Sequence, residues 1–177
     1  LAAARAETPA RPATKVRTMA AVMAGKLVYN LNNALNALSG LTLHEQLRDR
    51  RWRRILAAQQ SEALGLLRRA GIEPVGIGKF PLNWFPTVLR LPTPLFRRVA
   101  SSSVRIDRQA RSSMWDDLER RRQTEIAELQ GAVVELALRL GREAPVSQRV
   151  MDLIRAAERA GLGSPALEPA QVLGRAP

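Results

Sequence analysis

The clearest pattern of apolar and polar positions lies in GKLVYNLNNALNALSG, residues 25–40, where Leu, Val and Ala recur at helical spacing without an intervening proline. This periodicity predicts a first helix from about Val16 to Leu38, which the closing glycine ends. At about 100° per residue, Asn30 lies about 40° from Lys26 around the helix axis, and Asn33 about 20° to the other side. One face of this helix is therefore predicted to carry an ammonium and two carboxamides.

This polar face has two interpretations. An unpaired polar group is costly among apolar neighbours, so the stripe is suited to binding a polar ligand. Alternatively, Lys26 and Asn30 face water and the helix is simply amphipathic. The pattern by itself leaves both open.

The next helix carries signals at both of its ends. Thr42 followed by Glu45 predicts a capping box at its start, and the helix is expected to extend to about Ala70 and to end at Gly71. Residues 72–97 then contain five prolines and predict a folded connection with one or two short helices. Four aromatic side chains of this connection are expected to pack on the bundle: Phe80, Trp84, Phe85 and Phe96.

Two further helices are predicted in the C-terminal half. Ser113 with Asp116 signals the start of a helix over about Met114 to Leu140. Pro145 precedes a last helix over about 147–160.

Composition favours a single all-α domain. Hydrophobic residues make up 46% of the 177 positions and aromatic residues only 4%, and Ala, Leu, Arg, Glu and Gln dominate. Residues 1–15 are predicted to be a linker or the remnant of a preceding domain, and residues 161–177 a flexible tail. The folded domain is thus expected over residues 16–160.

The charge is strongly positive, with 28 basic and 16 acidic residues and a net charge of +12, which favours anionic partners. The densest cluster predicts either a nucleic-acid-binding patch or a solvated helix face. The solvated face is favoured because Trp52 is the only nearby aromatic residue that could stack on a base. The cluster consists of Arg48, Arg50, Arg51, Arg53 and Arg54.

Several kinds of site are excluded by residue content. The chain has no cysteine and a single histidine, His44, so disulfides, thiolate metal sites and histidine metal clusters are not expected. Gly76 and Gly78 lack the third glycine and the strand-to-helix context of a dinucleotide-binding loop. No apolar run is long enough to cross a bilayer, and a cytoplasmic location is expected.

Three groups of residues occur in order along the chain. The first is Lys26, Asn30 and Asn33 with the NALNAL run, and the second is Ser112-Ser113-Met114 with Asp117. The third is Thr124-Glu125-Ile126, which is followed by Gly131 and Pro145. Together they resemble the C-terminal domain of the ketopantoate reductase family over about residues 16–160. The most specific part is the block from Ser112-Ser113-Met114 to Thr124-Glu125-Ile126, in which Ser113 and Glu125 are twelve residues apart, as in the family. The resemblance implies a helical bundle like the C-terminal domains of 6-phosphogluconate-type dehydrogenases.

The resemblance also implies an activity, the NADPH-dependent reduction of a 2-oxo acid to a 2-hydroxy acid. By analogy, Lys26 would hold the keto oxygen and act as general acid, while Asn30, Asn33 and Ser113 would bind the substrate. Glu125 would meet the cofactor. An ammonium stabilises developing alkoxide charge, and a partly buried lysine can have a lowered pKa suited to proton donation. A continuous helix would separate Ser113 from Glu125 by about 18 Å. Two residues so far apart cannot contact the same small substrate atom, which fits a substrate role for Ser113 and a cofactor role for Glu125.

Some features depart from the family pattern. The second asparagine of the family often stands eight residues after the lysine, where this chain has Ala34, so Asn33 is taken as its replacement. Ser113 could also serve only as an N-cap, and Glu125 only as an ion-pair partner of Arg121.

The family's Rossmann domain, which carries most of the NADPH site, is missing from this chain. The chain alone is therefore expected to be inactive and to need that domain in cis or in trans, and a homodimer is expected. Two other functions remain alternatives: a basic helical nucleic-acid-binding module and a non-catalytic interaction module.

Overall fold

The computed structural model describes residues 12–76, 81–100 and 107–174, with the backbone alone for residues 12–18 and 100. Within these ranges the chain forms ten α-helices and no strand, which confirms the all-α prediction. The helices are α1 (Pro12–Asn30), α2 (Asn32–Ser39), α3 (Leu43–Arg48), α4 (Arg50–Arg69), α5 (Phe85–Arg90), α6 (Thr93–Ala100), α7 (Ser113–Glu119), α8 (Ala132–Arg139), α9 (Pro145–Ala160) and α10 (Pro169–Val172).

Helix α4 is the centre of the bundle because its buried face contributes to two apolar clusters. Its N-terminal half, with Ile55, packs against α2, α7 and α9 in the larger cluster. Its C-terminal half, with Leu64 and Leu67, packs against α1 and α8 in the second. Each fully buried Leu or Ile contributes about 1.5–3 kcal/mol to folding.

The predicted first helix is broken, so the expectation of one helix over residues 16–38 was wrong. Leu31 separates α1 from α2, although its own N–H still bonds to Leu27 O at 3.1 Å. Two buried glutamines donate to carbonyls beside the break: Gln60 Nε2 to Val28 O at 3.3 Å and Gln130 Nε2 to Leu31 O at 3.0 Å. These bonds stabilise a break that a continuous helical pattern does not reveal.

The second predicted helix is also divided. The capping box of Thr42 and Glu45 is confirmed at the start of α3. Asp49 then adopts an extended conformation, with φ −80° and ψ 116°, and its side chain caps α4 by accepting from Arg51 N at 2.7 Å. The chain turns after α4 at Gly71, which has φ 71°.

The proline-rich connection contains α5 and α6, preceded by a 3₁₀ turn over Leu82–Trp84, so the predicted short helices are confirmed. Phe85 and Phe96 pack against the core as expected. Trp84 is 64% exposed, so its predicted packing was wrong. Phe80 lies outside the described residues.

The predicted helix over Met114–Leu140 was wrong in its continuity. Helix α7 ends at Glu119, where Arg122 N bonds to Asp117 O at 2.8 Å and Arg121 adopts a φ of 53°. After this turn, a π-helical segment over Ala127–Gly131 leads into α8. The estimate of about 18 Å between Ser113 and Glu125 assumed one straight helix and does not apply.

The chain after α9 differs from the expected flexible tail over residues 161–174. Ser164 Oγ donates to Ala37 O at 2.6 Å, and Leu167 N donates to Leu38 O at 2.8 Å. Val172 of α10 is buried. At the other end, residues 12–15 belong to α1 rather than to a linker, and residues 1–11 and 175–177 lie outside the described ranges.

Candidate functional site

Lys26 and Asn30 lie on the outer face of α1. The opposite face, with Ala24 and Val28, is buried in the bundle. Lys26 is exposed and Asn30 is half-buried, and neither side chain has a polar partner among the described residues. The expectation of a partly buried lysine was therefore wrong for this chain by itself.

Apolar side chains surround Lys26 on the same face of α1. Met19, Val22, Met23 and Tyr29 lie within about 60° of Lys26 around the helix axis. They are 61%, 50%, 67% and 45% exposed, respectively. We call these four residues the α1 patch. Contiguous exposed apolar surface of this kind marks an interaction surface more often than a solvated one.

The backbone of residues 72–76 crosses α1 directly beside Lys26. Val75 N donates to Ala21 O at 2.9 Å. The crossing depends on Gly25, because a Cβ atom at this position would lie 2.0 Å from Val75 O. The connection between the second and third predicted helices thus forms one border of the surface around Lys26.

Helix α7 begins against α2, where Ser112 contacts the backbone of Asn33. The N-cap of α7 is Ser112, whose Oγ accepts from Trp115 N at 3.2 Å and donates to Asn33 O at 2.9 Å. The proposal that Ser113 is only an N-cap was therefore wrong. Ser113 is the first residue of α7, exposed, with no polar side-chain partner in the described part of the chain. Asn33 itself is half-buried.

A buried network of amides joins α2, α3 and the start of α7. Asn36 Oδ1 accepts from Ser112 N at 2.8 Å, and Asn36 Nδ2 donates to Gln46 Oε1 at 3.1 Å. Gln46 Nε2 donates to Asn32 Oδ1 at 3.1 Å. Sequence reasoning missed Asn36 and Gln46, although the i,i+4 spacing of Asn32 and Asn36 was a signal that one more polar face existed on α2.

Glu125 lies in the turn between α7 and the π-helical segment. Its side chain is exposed and has no ion-pair partner among the described residues. The alternative role as a partner of Arg121 is thus not realised. The carboxylate is free to bind a group from outside this chain.

The arginine cluster is largely used within the molecule. Arg53 is fully buried and donates to the backbone carbonyls of Leu89 in α5 and Leu47 in α3. Arg51 pairs with Asp49 at 2.8 Å, and Arg50 NH2 donates to Arg90 O at 3.2 Å. These contacts favour a structural role for the cluster over a nucleic-acid-binding patch.

Two surface clefts are lined by none of the five residues predicted to bind substrate or cofactor. One, of about 330 Å³, lies between the turn after α7 and the end of α9, and the other, of about 370 Å³, lies between α4 and α10. Over residues 12–76, 81–100 and 107–174, the structure holds no cluster of acidic or histidine residues able to bind a metal ion. In the same ranges no helix combines the length and apolarity needed to traverse a bilayer.

The chain is therefore an all-α domain in which Lys26, Ser113 and Glu125 are exposed and have no polar side-chain partner within the described ranges. The family model described as ketopantoate reductase PanE/ApbA C terminal matches residues 18–158, and the chain belongs to this family. The resemblance inferred from the sequence is thus confirmed.

The fold is similar to that of a solved PanE/ApbA family ketopantoate reductase from Ralstonia eutropha JMP134. The TM-score is 0.60, and the identity is 22% over 78% of this chain. The chain spans 41% of the length of that structure. No curated protein sequence matches the chain.

Proposed function

We propose that this chain is the substrate-binding and catalytic C-terminal domain of an NADPH-dependent 2-oxo acid reductase of the 2-dehydropantoate 2-reductase type. The observation that carries the proposal is the match to the family model over residues 18–158, a range that includes Lys26, Asn30, Asn33, Ser113 and Glu125. The bond from Ser112 Oγ to Asn33 O also holds the residue before Ser113 against α2.

Each side chain has a chemical role in the proposed reaction. The Lys26 ammonium donates a hydrogen bond to the keto oxygen and then its proton, as negative charge develops on that oxygen. The amides of Asn30 and Asn33 and the hydroxyl of Ser113 bind the remaining substrate oxygens, including the carboxylate. The products are a 2-hydroxy acid and a neutral lysine, which regains its proton from water.

NADPH supplies the hydride that reaches the keto carbon. Glu125, an exposed carboxylate, is suited to accept hydrogen bonds from hydroxyl groups of the cofactor. No glycine-rich phosphate-binding loop occurs within the described residues. The rest of the cofactor site therefore belongs, in this proposal, to a separate Rossmann domain that acts in cis or in trans.

The α1 patch supports the need for such a second domain. Lys26 stands among four exposed apolar side chains, and a protein surface placed over them would remove both the patch and Lys26 from water. In that closed state the ammonium would interact more strongly with the substrate, because the local dielectric constant falls. A cytoplasmic location and a homodimer remain predictions.

The proposal is tested by NMR titration of the ¹⁵N-labelled chain with 2-dehydropantoate. NMR is suitable because it detects weak binding, which is expected when the Rossmann domain that completes the site is not included. We expect saturable shifts at Asn30, Asn33 and Ser113, and we expect Lys26→Ala to abolish them. Arg68→Ala is the matched control, because it removes one exposed positive charge at the end of α4. Equal binding by the wild-type chain and Lys26→Ala would contradict the proposal.

The non-catalytic interaction module is the second candidate, and the open position of Lys26 within the α1 patch favours it. The two candidates differ in one measurable property. A non-catalytic module would bind a partner domain through α1 but would not bind a 2-oxo acid in the titration above.

A further inference from the structure

Ser113, the proposed carboxylate ligand, is held in place by its neighbours rather than by its own side chain. The neighbour Ser112 makes two bonds to α2: its N–H donates to Asn36 Oδ1 at 2.8 Å, and its Oγ donates to Asn33 O at 2.9 Å. These two bonds anchor the backbone N–H and the side chain of Ser112, and the planar peptide bond that follows limits where the Ser113 side chain begins.

The Asn36 amide can occupy its site in only one orientation. Its Nδ2 donates to Leu41 O at 3.0 Å and to Gln46 Oε1 at 3.1 Å, while its Oδ1 faces the N–H of Ser112. Turning the amide over would place a donor against a donor and an acceptor against two acceptors. Asn36 is fully buried, so water could not compensate for the lost bonds.

Gln46 fixes this orientation from the next helix. Its Oε1 accepts from Asn36, and its Nε2 donates to Asn32 Oδ1 at 3.1 Å. Only 1% of Gln46 is exposed. A buried polar network whose members are all hydrogen-bonded is rigid and enforces a single arrangement.

We propose that Asn36 is a positioning residue for the substrate carboxylate. Its buried amide, oriented by Gln46, holds the start of α7 on α2 so that the Ser113 hydroxyl and the Asn33 amide converge on the same ligand. This inference rests on the proposed function, in which Ser113 binds the carboxylate.

A double-mutant cycle between Asn36 and Ser113 tests the inference. The apparent Kd for 2-dehydropantoate is measured by NMR for the wild-type chain, Ser113→Ala, Asn36→Leu and the double variant. We expect each single substitution to weaken binding about tenfold or more, as expected when a hydrogen bond to a charged group is lost or misaligned. If Asn36 acts through Ser113, the double variant binds no more weakly than the weaker single variant.

The possible results separate the inference from the function on which it rests. If the losses of the two single variants multiply in the double variant, Asn36 does not act through Ser113 and the inference fails, although the role of Ser113 stands. If Ser113→Ala binds like the wild-type chain, the role of Ser113 fails and the inference with it.

Two more variants guard against a purely structural effect. Gln46→Met leaves Asn36 Oδ1 in place to accept from Ser112 N, but it removes the oxygen that accepts from Asn36 Nδ2 and orients the amide. We expect a smaller loss of binding that disappears in the Ser113→Ala background. If Asn36→Leu does not fold, Gln46→Met takes its place in the double-mutant cycle with Ser113→Ala. Gln59→Met is the matched control: Gln59 is a fully buried glutamine whose amide has no partner in the described chain. Its replacement should leave the Kd unchanged, and weakened binding there would overturn the inference.

Discussion

Replacing Arg53 by methionine should destabilise the bundle more than any other single change within the arginine cluster. The guanidinium of Arg53 joins four segments of the chain and has no carboxylate partner among the residues that the structure describes. It donates to five acceptors: Leu89 O at 3.1 Å, Leu47 O at 2.9 Å, Arg48 O at 3.0 Å, Leu91 O at 3.0 Å and Thr93 Oγ1 at 3.3 Å. It also lies 4.2 Å from the centre of the Phe96 ring.

The expected loss of stability is about 3 kcal/mol. The bond to Leu89 O is buried, and leaving that carbonyl without a donor costs about 1–3 kcal/mol. The other acceptors are partly accessible to water, so each contributes less, and the contact with Phe96 adds about 1 kcal/mol. Methionine avoids the desolvation of a buried charge, which offsets part of this sum.

Urea unfolding followed by circular dichroism measures the effect. Arg54→Met is the matched control, because Arg54 is the next residue, is exposed, and has no described partner. We expect Arg54→Met to change the free energy of unfolding by less than about 0.5 kcal/mol. An Arg53→Met variant within about 1 kcal/mol of Arg54→Met, with equal m-values, would refute the claim that Arg53 holds α5 and α6 on the bundle.

Two further predictions concern α1 and α4. Gly25→Ala should lower the free energy of unfolding by about 1–3 kcal/mol, because the new Cβ atom would lie 2.0 Å from Val75 O. Gly65→Ala is the control: a Cβ atom there would have no neighbouring atom within 4 Å, so alanine should stabilise α4 by about 0.5–1 kcal/mol. Thermal unfolding measures both variants. Burial raises the pKa of Glu62 above its ordinary value of 4.5, although it accepts hydrogen bonds from Val146 and Ser147. The folded state therefore favours protonated Glu62. The resulting contribution to the free energy of unfolding is fully present below pH 4.5 and is lost as the pH rises through the raised pKa of Glu62. Urea unfolding between pH 4 and 8 should show wild-type stability falling relative to Glu62→Gln, and a constant difference would contradict this.

Local signals made the ends of several helices predictable. The capping box of Thr42 and Glu45 and the turn at Gly40 depend on residues within a few positions of each other. The breaks at Leu31 and after Glu119 were missed because their stabilising groups are distant in sequence. Gln130 is 99 residues from Leu31, and Glu158 accepts from Thr124 N across 34 residues.

In the candidate site, too, local sequence patterns were predictable and tertiary contacts were not. Lys26 and Asn30 stand out in an apolar helix, so the sequence pattern alone singles them out. The exposure of Lys26 could not be read from that pattern, because it depends on what covers the outer face of α1. Asn36 lies in the same run as Asn33, and only the tertiary contacts with Ser112 and Gln46 distinguish the buried amide from the half-buried one.

The most direct test of the account follows the lysine side chains themselves. The chain contains three lysines, Lys15, Lys26 and Lys79, so reductive ¹³C-methylation gives one resolvable NMR signal for each. Titration with a 2-oxo acid should shift the Lys26 signal alone, and the matched acid without the 2-oxo group should shift it less. Equal shifts at all three lysines, or none at Lys26, would contradict the claim that the Lys26 ammonium binds the keto oxygen.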